Sequence, residues 1–420
     1  MPPRVTRRDV LRLAATFGLS FTLPPIEPRA AEKRGPERPK SFLLIWLAGG
    51  PSQLETWDPH PGTKIGGPTR AIATTLRGVS IADSYPRLAE QMHHLSVIRS
   101  LVSKEGDHER GTYFVKTGYR PDPTLTHPVL GSIVAREHPN PELEIPQFVS
   151  LGSSPHRSRA GFLGAQFDPF RVPNPGRNLQ NMRPPVPADR QQRRLANLEV
   201  VSRAFRSGRR LAVEKTLHEH TVRQALRMMS SDQLKAFELD DEPRAVQRAY
   251  GDTNFGRGCL VARRLIETGV PAVEVTLPGW DTHQNNFDGH RAQAEQLDPA
   301  LSTLIRELVE RDLYQSTVLL CIGEFGRTPE IRRVDGRDHW PTGFSCLLGG
   351  GGLNAGVVIG ETDPHGEKKM PASPVPVADL SATVLHALGI DHQQEFITPI
   401  GRPLSYSQGQ PIPQLVQEIG

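Results

Sequence analysis

Cysteine is scarce. The 420 residues hold three, Cys259, Cys321 and Cys346, too widely spaced for a CxxC zinc site and too few for a disulfide framework. Cys321 lies inside the apolar run TVLLCIG, which predicts a buried structural thiol. A dominant charge is missing as well: 50 Lys and Arg against 46 Asp and Glu leave a formal net charge of +4. Much of the basic excess falls at the N-terminus and in a central Arg-rich stretch, so no nucleic-acid partner is indicated. The moderately apolar run Leu11 to Leu23 is too short to cross a bilayer, and no stable membrane anchor is expected. Gly349 to Gly352 follow a predicted strand but do not give GxGxxG, and they read as a turn rather than a dinucleotide site.

What the chain has in quantity is Pro and Gly, 39 and 38 residues. Together with a modest apolar fraction, they predict many loops on a soluble core. The length accommodates one large α/β domain, or one with an insertion. Thr6-Arg7-Arg8-Asp9-Val10-Leu11 is a twin-arginine pattern ahead of the apolar run, and Ala30-Ala31 offers a weak cleavage site. Residues 1–31 are therefore read as a signal for the twin-arginine export machinery, with a periplasmic or extracellular mature chain. That route carries folded proteins, which suits a cofactor or metal loaded before export.

After a charged linker at 32–40, the domain spans 41–420. Apolar, β-branched runs predict strands at 41–48, around LSVIRS, and at 147–151, 272–277, 317–322 and 344–348. Helices are predicted at 127–138, 259–268, 297–311 and 377–388. Residues 174–255 change character: a loop precedes a stretch rich in Arg, Glu, Gln, Leu and Ala, read as a mostly helical insertion with a capping box at Ser230-x-x-Gln233. The arginines of that stretch fit a solvated helical face. Strand–helix alternation argues for a mainly parallel, doubly wound sheet.

Ligand crevices in such folds open at the C-terminal ends of strands, and the chemistry-bearing residues cluster there. Asp281 and His283 follow one predicted strand, and their spacing of two lets both point the same way. Glu324 ends another strand, with Asp338-His339 returning after a loop. His108 lies in a loop with Ser103, Asp107 and Glu109 before a Thr-Gly-Tyr turn. Carboxylates and imidazoles so gathered can hold a divalent metal. Ser153-x-Pro155-x-Arg157 matches the short formylglycine signature of sulfatases. It lies downstream of Thr117-Gly118, the wrong order for that active site, and Ser153 is expected to stay unmodified.

The motifs LIWLAGGPSQLETWDPHP, EGDHERGTYFVKTGYRP, HPVLGSIVARE, GWDTHQNNF, GEFGRTPEI, GRDHWP and VADLSATVLHALGID resemble the DUF1501 family, itself similar to the alkaline phosphatase and sulfatase superfamily. The resemblance covers roughly residues 40–410. It implies an α/β/α sandwich with a two-metal hydrolytic centre. By position, Asp281 and His283 stand in the Asp-x-x-x-His region, Glu324 replaces the Asp of an Asp-His pair, and His339 is the final His. Ser103 to His108 stand where the nucleophile segment lies. The chain departs from the pattern at three points. Ala48-Gly49-Gly50 replace the Asp after the first strand, Phe325 replaces the His of the Asp-His pair, and Asp281 is two residues from His283 rather than four. Glu55 or Asp58 is the candidate for the missing carboxylate, and a single-metal or metal-free site stays open.

The resulting expectation is an exported, metal-dependent hydrolase of sulfate or phosphate esters, acting on a small-molecule or glycan ester. Asp281, His283, Glu324, Asp338 and His339 would hold a divalent Zn, Ca, Mg or Mn ion. Ser103 and His108 would serve the chemistry, and Arg327 would stabilise the anionic transition state. The alternative is a non-catalytic protein on the same fold that binds an anionic glycan or envelope partner.

Overall fold

The strand β1, Ser41–Ala48, is buried along its whole length. Its side chains alternate between two cores: Leu43, Ile45 and Leu47 enter one, and Phe42, Leu44, Trp46 and Ala48 enter the other. A strand apolar on both faces belongs at the centre of a sheet covered on both sides. The structure, a computed structural model, describes residues 40–177, 179, 182, 186–206 and 217–417. The expected export signal at 1–31, and the linker up to residue 39, lie outside the described residues.

In chain order the remaining strands of the main sheet are β2 Leu95–Val102, β3 Phe148–Leu151, β4 Phe170–Val172, β5 Ala272–Pro278, β6 Thr317–Ile322, β7 Phe344–Gly350, β8 Val358–Ile359 and β9 Val375–Pro376. They are ordered β8-β2-β7-β6-β1-β5-β3-β4, with β9 also paired to β2. All pairings are parallel except those of β7, which runs antiparallel to both β2 and β6. The β6–β7 connection needs no crossover helix. Instead it folds back at the C-terminal edge, where Gly326–Arg327 pair with His339–Trp340.

The helices are α1 His108–Thr117, α2 Leu130–Glu137, α3 Ala188–Arg206, α4 His218–Met229, α5 Arg244–Tyr250, α6 Asn254–Glu267, α7 Asn286–Glu310 and α8 Val377–Ala387, besides a short turn of helix at Pro86–Ala89. Leu260, Leu265, Leu301 and Leu304, from α6 and α7, share the core of Leu43. Ile133, Val134, Leu380 and Val384, from α2 and α8, share the core of Phe42. This is a three-layer α/β/α sandwich with a mainly parallel sheet. Within 174–255 lie α3, α4 and α5, together with a 3-10 segment at Asp232–Phe237.

Helix α7 begins well before the predicted Leu297. Its buried stripe opens on Asn286, His290 and Ala294 before Leu297 and Leu301, so the helical period is present but carried by polar side chains. The N-cap near residue 230 is Ser231, whose hydroxyl accepts from the Gln233 N–H, while the Ser230 hydroxyl bonds back to Leu226 O in α4. All three cysteines are free and buried. Gly349 and Gly350 are the last residues of β7. Among the described residues, no helix is long and apolar enough to cross a membrane.

Candidate metal centre

Four strands running in one direction deliver the site. β1 ends before Gly49-Gly50, β5 before Asp281, β6 before Glu324, and β2 before the turn that carries His108. His108 is the first residue of α1. Asp107 caps that helix by accepting from the N–H groups of Glu109 and Arg110, and Gly118, at φ +74°, ends it. Glu324 is 1% exposed, and one carboxylate oxygen ties two of these segments together. Its Oε1 accepts from the Gly49 N–H at 2.9 Å and from His108 Nδ1 at 2.7 Å.

Three imidazoles converge on Asp281. His108 Nε2 lies 3.3 Å from Asp281 Oδ2, His339 Nε2 3.3 Å from Oδ1, and His283 Nε2 3.1 Å from Oδ1. His283 Nε2 and His339 Nε2 are 3.0 Å apart. In each ring the other nitrogen faces an acceptor. His108 Nδ1 meets Glu324, His283 Nδ1 meets Asp338 Oδ1 at 3.2 Å, and His339 Nδ1 meets the Gly106 carbonyl at 2.8 Å. Acceptors at Nδ1 fix the Nδ1–H tautomer, so each neutral ring turns its Nε2 lone pair toward the same carboxylate. Lone pairs this close repel one another unless a proton or a cation sits among them. His108 Nε2 and Glu324 Oε2 are also buried without a hydrogen bond. The 3.3 Å approach of His108 to Asp281 is thus an ion-pair distance without hydrogen-bond alignment. Donor atoms of His108, Asp281 and His339 all lie within 4.8 Å of one another.

Arg327 fixes the electrostatics. Its guanidinium, 0% exposed, donates to Asp281 Oδ1 at 2.6 Å, Gly50 O at 2.8 Å, Trp280 O and Arg337 O at 3.2 Å each, and also to Gly49 O. Burial pushes the Asp281 carboxyl up, but the Arg327 hydrogen bond and charge, helped by His108 and His339, outweigh it and hold Asp281 at about 2. The Glu324 hydrogen bond raises His108 against the opposing effect of burial. Burial, with the charges of Arg327 and His108, lowers His339. Asp281 is therefore ionised at neutral pH and His339 is disposed to be neutral, the forms in which each donates electrons to a metal.

Several expected roles change in the structure. Arg327 spends its donors on backbone carbonyls and Asp281 and is shut off from solvent, so it cannot reach a substrate oxyanion. Ser103 is 5% exposed and accepts from the Glu105 N–H at 3.1 Å. Among the described residues no hydroxyl hydrogen-bonds to the cluster, and Ser103 is not set up as its nucleophile. Glu324 and Asp338 orient the rings of His108 and His283 instead of joining the converging donor atoms; Asp338 also pairs with Arg332. Glu55 is held by Arg337 at 2.9 Å, and Asp58 accepts from Thr362 at 2.6 and 2.7 Å, so neither supplies the missing carboxylate. Position 49 has no room for one: at φ +120°, a Cβ on Gly49 would lie 2.5 Å from the Asp281 backbone nitrogen. The residues suit one cation bound by imidazole Nε2 atoms and Asp281; they do not fit the two-metal centre that the resemblance implies. His108, expected to serve the chemistry, stands among the donor atoms that could hold a cation, and the Gly106 carbonyl that orients His339 had no sequence signal.

A family model described as "Protein of unknown function (DUF1501)" matches residues 39–416. No curated protein matches the chain in sequence. Among solved structures, the chain is similar to the lipoteichoic acid synthase LtaP from Listeria monocytogenes, at 9% identity and TM-score 0.38 over 90% of this chain and 78% of that one. It is also similar to the PsFucS1 sulfatase from Pseudoalteromonas sp., at 11% identity and TM-score 0.40 over 84% and 68%. A protein in the alkaline phosphatase superfamily from Vibrio parahaemolyticus matches at 11% identity and TM-score 0.40, over 84% and 67%.

Proposed function

The chain belongs to the DUF1501 family, and we propose that it is an exported hydrolase of sulfate or phosphate esters that works with one divalent cation. The observation that carries this reading is the convergence of three imidazole Nε2 atoms on the Asp281 carboxylate, each ring oriented by an acceptor at Nδ1. Such acceptors behind metal-binding histidines set the tautomer and raise ligand basicity. The donor atoms of His108, His339 and Asp281 lie close enough together to share an ion, and a set rich in imidazole favours zinc over calcium or magnesium. His108, Asp281 and His339 would hold the ion, which would supply Lewis-acid polarisation of an ester oxygen and activation of water near neutral pH.

The chain's own residues do the rest. Arg327 keeps Asp281 ionised, and Phe325, with its ring 5.0 Å from His108 and 4.4 Å from His339, gives the cluster an apolar flank. With no hydroxyl bonded to the cluster among the described residues, the attacking group is water. The twin arginines support export, and the substrate is a small-molecule or glycan ester. A second reading, a binding protein without turnover, is favoured by the burial of Arg327, which leaves that cation unable to meet a developing anion.

Hydrolysis decides between them. The mature protein is assayed against a panel of aryl sulfates and phosphates, with and without added Zn or Mn. Turnover that is lost in Asp281→Asn and His339→Ala supports the hydrolase. Metal uptake without turnover across the panel favours the binding protein, and no metal uptake at all ends the metal-centre reading.

A further inference from the structure

A groove of about 470 Å³ opens along α1, the helix whose first residue is His108. One wall is the face of α1 that carries Glu109, Tyr113 and Lys116, beginning at the residue after His108. The other is the loop after β3, with His156, Arg157 and Arg159. We propose that this groove holds a second anionic group of the substrate, so that the protein acts on polyanions, with one ester at the histidine cluster and another anion at Arg157 and Arg159. The ester half rests on the function proposed above; the anion site stands on its own residues.

Surface arginines usually pair with a carboxylate or are simply solvated. Here both guanidinium groups line a concave surface, and among the described residues neither has an acidic partner. The nearby carboxylates are already committed. Glu274 is pinned by Lys116 at 2.8 Å and by the Ser158 hydroxyl at 2.7 Å, and Asp168 accepts from the Ala160 N–H at 2.6 Å. The excess positive charge is felt by a third arginine. Arg171, which donates to the Ser158 carbonyl at 3.1 Å, has its pKa lowered first by burial and then by the charge of Arg157, with a smaller effect of Arg159, while Asp168 and Glu274 act in the opposite direction. Among the described residues, Glu109 is the only acidic side chain lining the groove, and it follows His108 in α1. Two guanidinium groups in a concave site, without an ion-pair partner among the described residues, match sulfate, phosphate or carboxylate oxygens, which they can bind bidentately.

The test measures binding, not turnover, on the chelator-treated mature chain. Isothermal titration is run with dextran sulfate oligomers, inorganic polyphosphate and uncharged dextran at moderate salt. At least one polyanion should bind and uncharged dextran should not; a preference between sulfate and phosphate identifies the group. The double variant Arg157→Ala/Arg159→Ala, changed only at exposed side chains, should weaken binding tenfold or more. Arg157→Lys/Arg159→Lys should recover part of that loss. Arg77→Ala, an exposed arginine outside the groove, should stay within twofold of wild type. Equal affinity of the double alanine variant and wild type, an equal loss in Arg77→Ala, or binding of uncharged dextran would overturn the proposal. Failed ester hydrolysis with this pattern intact would end the hydrolase reading alone.

Discussion

The Nε2 atoms of His283 and His339 face each other at 3.0 Å, while Asp338 and the Gly106 carbonyl hold the opposite nitrogens of the two rings. Two neutral imidazoles do not rest lone pair to lone pair without something between them. With Asp281 held ionised by Arg327 and His108 arriving from α1, the arrangement calls for one positive charge at a defined point.

One equivalent of metal is therefore expected, not two. Chelation should lower the thermal midpoint, and a single equivalent of Zn or Mn should restore it, because a ligand of the native state stabilises by mass action. Elemental analysis giving two ions per chain would contradict the displacement of a second site by Arg327 and Gly49.

Glu324→Gln keeps an acceptor for His108 and Gly49 but removes the charge behind the ring. Loss of such an orienting carboxylate lowers metal affinity by about 10–100-fold, whereas His339→Ala should abolish binding under the same titration. Equal losses in the two variants would make Glu324 a direct ligand instead.

Lys116 and Glu274 pair at 2.8 Å with both side chains 2% exposed, and the ammonium also lies 4.5 Å from the centroid of the Trp46 ring. Removing one partner strands a buried charge and should cost about 3–5 kcal/mol. Denaturant unfolding of Glu274→Gln, Lys116→Met and the double variant should show the double losing clearly less than the sum of the singles. Strict additivity would mean that the pair is not coupled.

His290 is buried, and burial drives its pKa down to about 4. The neutral ring is fully used, accepting the Ser52 N–H at Nε2 and donating from Nδ1 to the Asn286 carbonyl, both at 2.8 Å. The unfolded chain therefore binds more protons between about pH 6.5 and 4. Its contribution to stability is complete above about pH 6.5 and falls by about 3 kcal/mol as the pH drops toward 4. Unfolding midpoints across this window should show the loss, and His290→Gln should flatten it. An unchanged slope in that variant would assign the acid sensitivity elsewhere.

The twin arginines predict a transport phenotype. Arg7→Lys with Arg8→Lys should retain a fusion reporter in the cytoplasm, as read by cell fractionation. Export at the wild-type level would remove the twin-arginine reading.

The sequence by itself determined the layering. A run such as SFLLIWLA is apolar at every position, so it belongs in the middle of a sheet, and TVLLCI beside it follows the same rule. Strand ends are legible for the same reason, and Asp281, Glu324 and His339 could be placed near one edge before any fold was known. What the sequence did not carry was pairing. His108 and Glu324 are 216 residues apart, and no local pattern says that the cap of α1 will bring that imidazole to that carboxylate. Arg327 reads as an available cation until three chain segments close around it and use its donors on their carbonyls. Gly49 reads as a flexible turn until the backbone of Asp281 crosses where a side chain would stand. Period and hydrophobicity are properties of neighbours along the chain. The number of metal ions a site can hold, and which of its residues can touch a substrate, depends on atoms that become neighbours only when the layers pack.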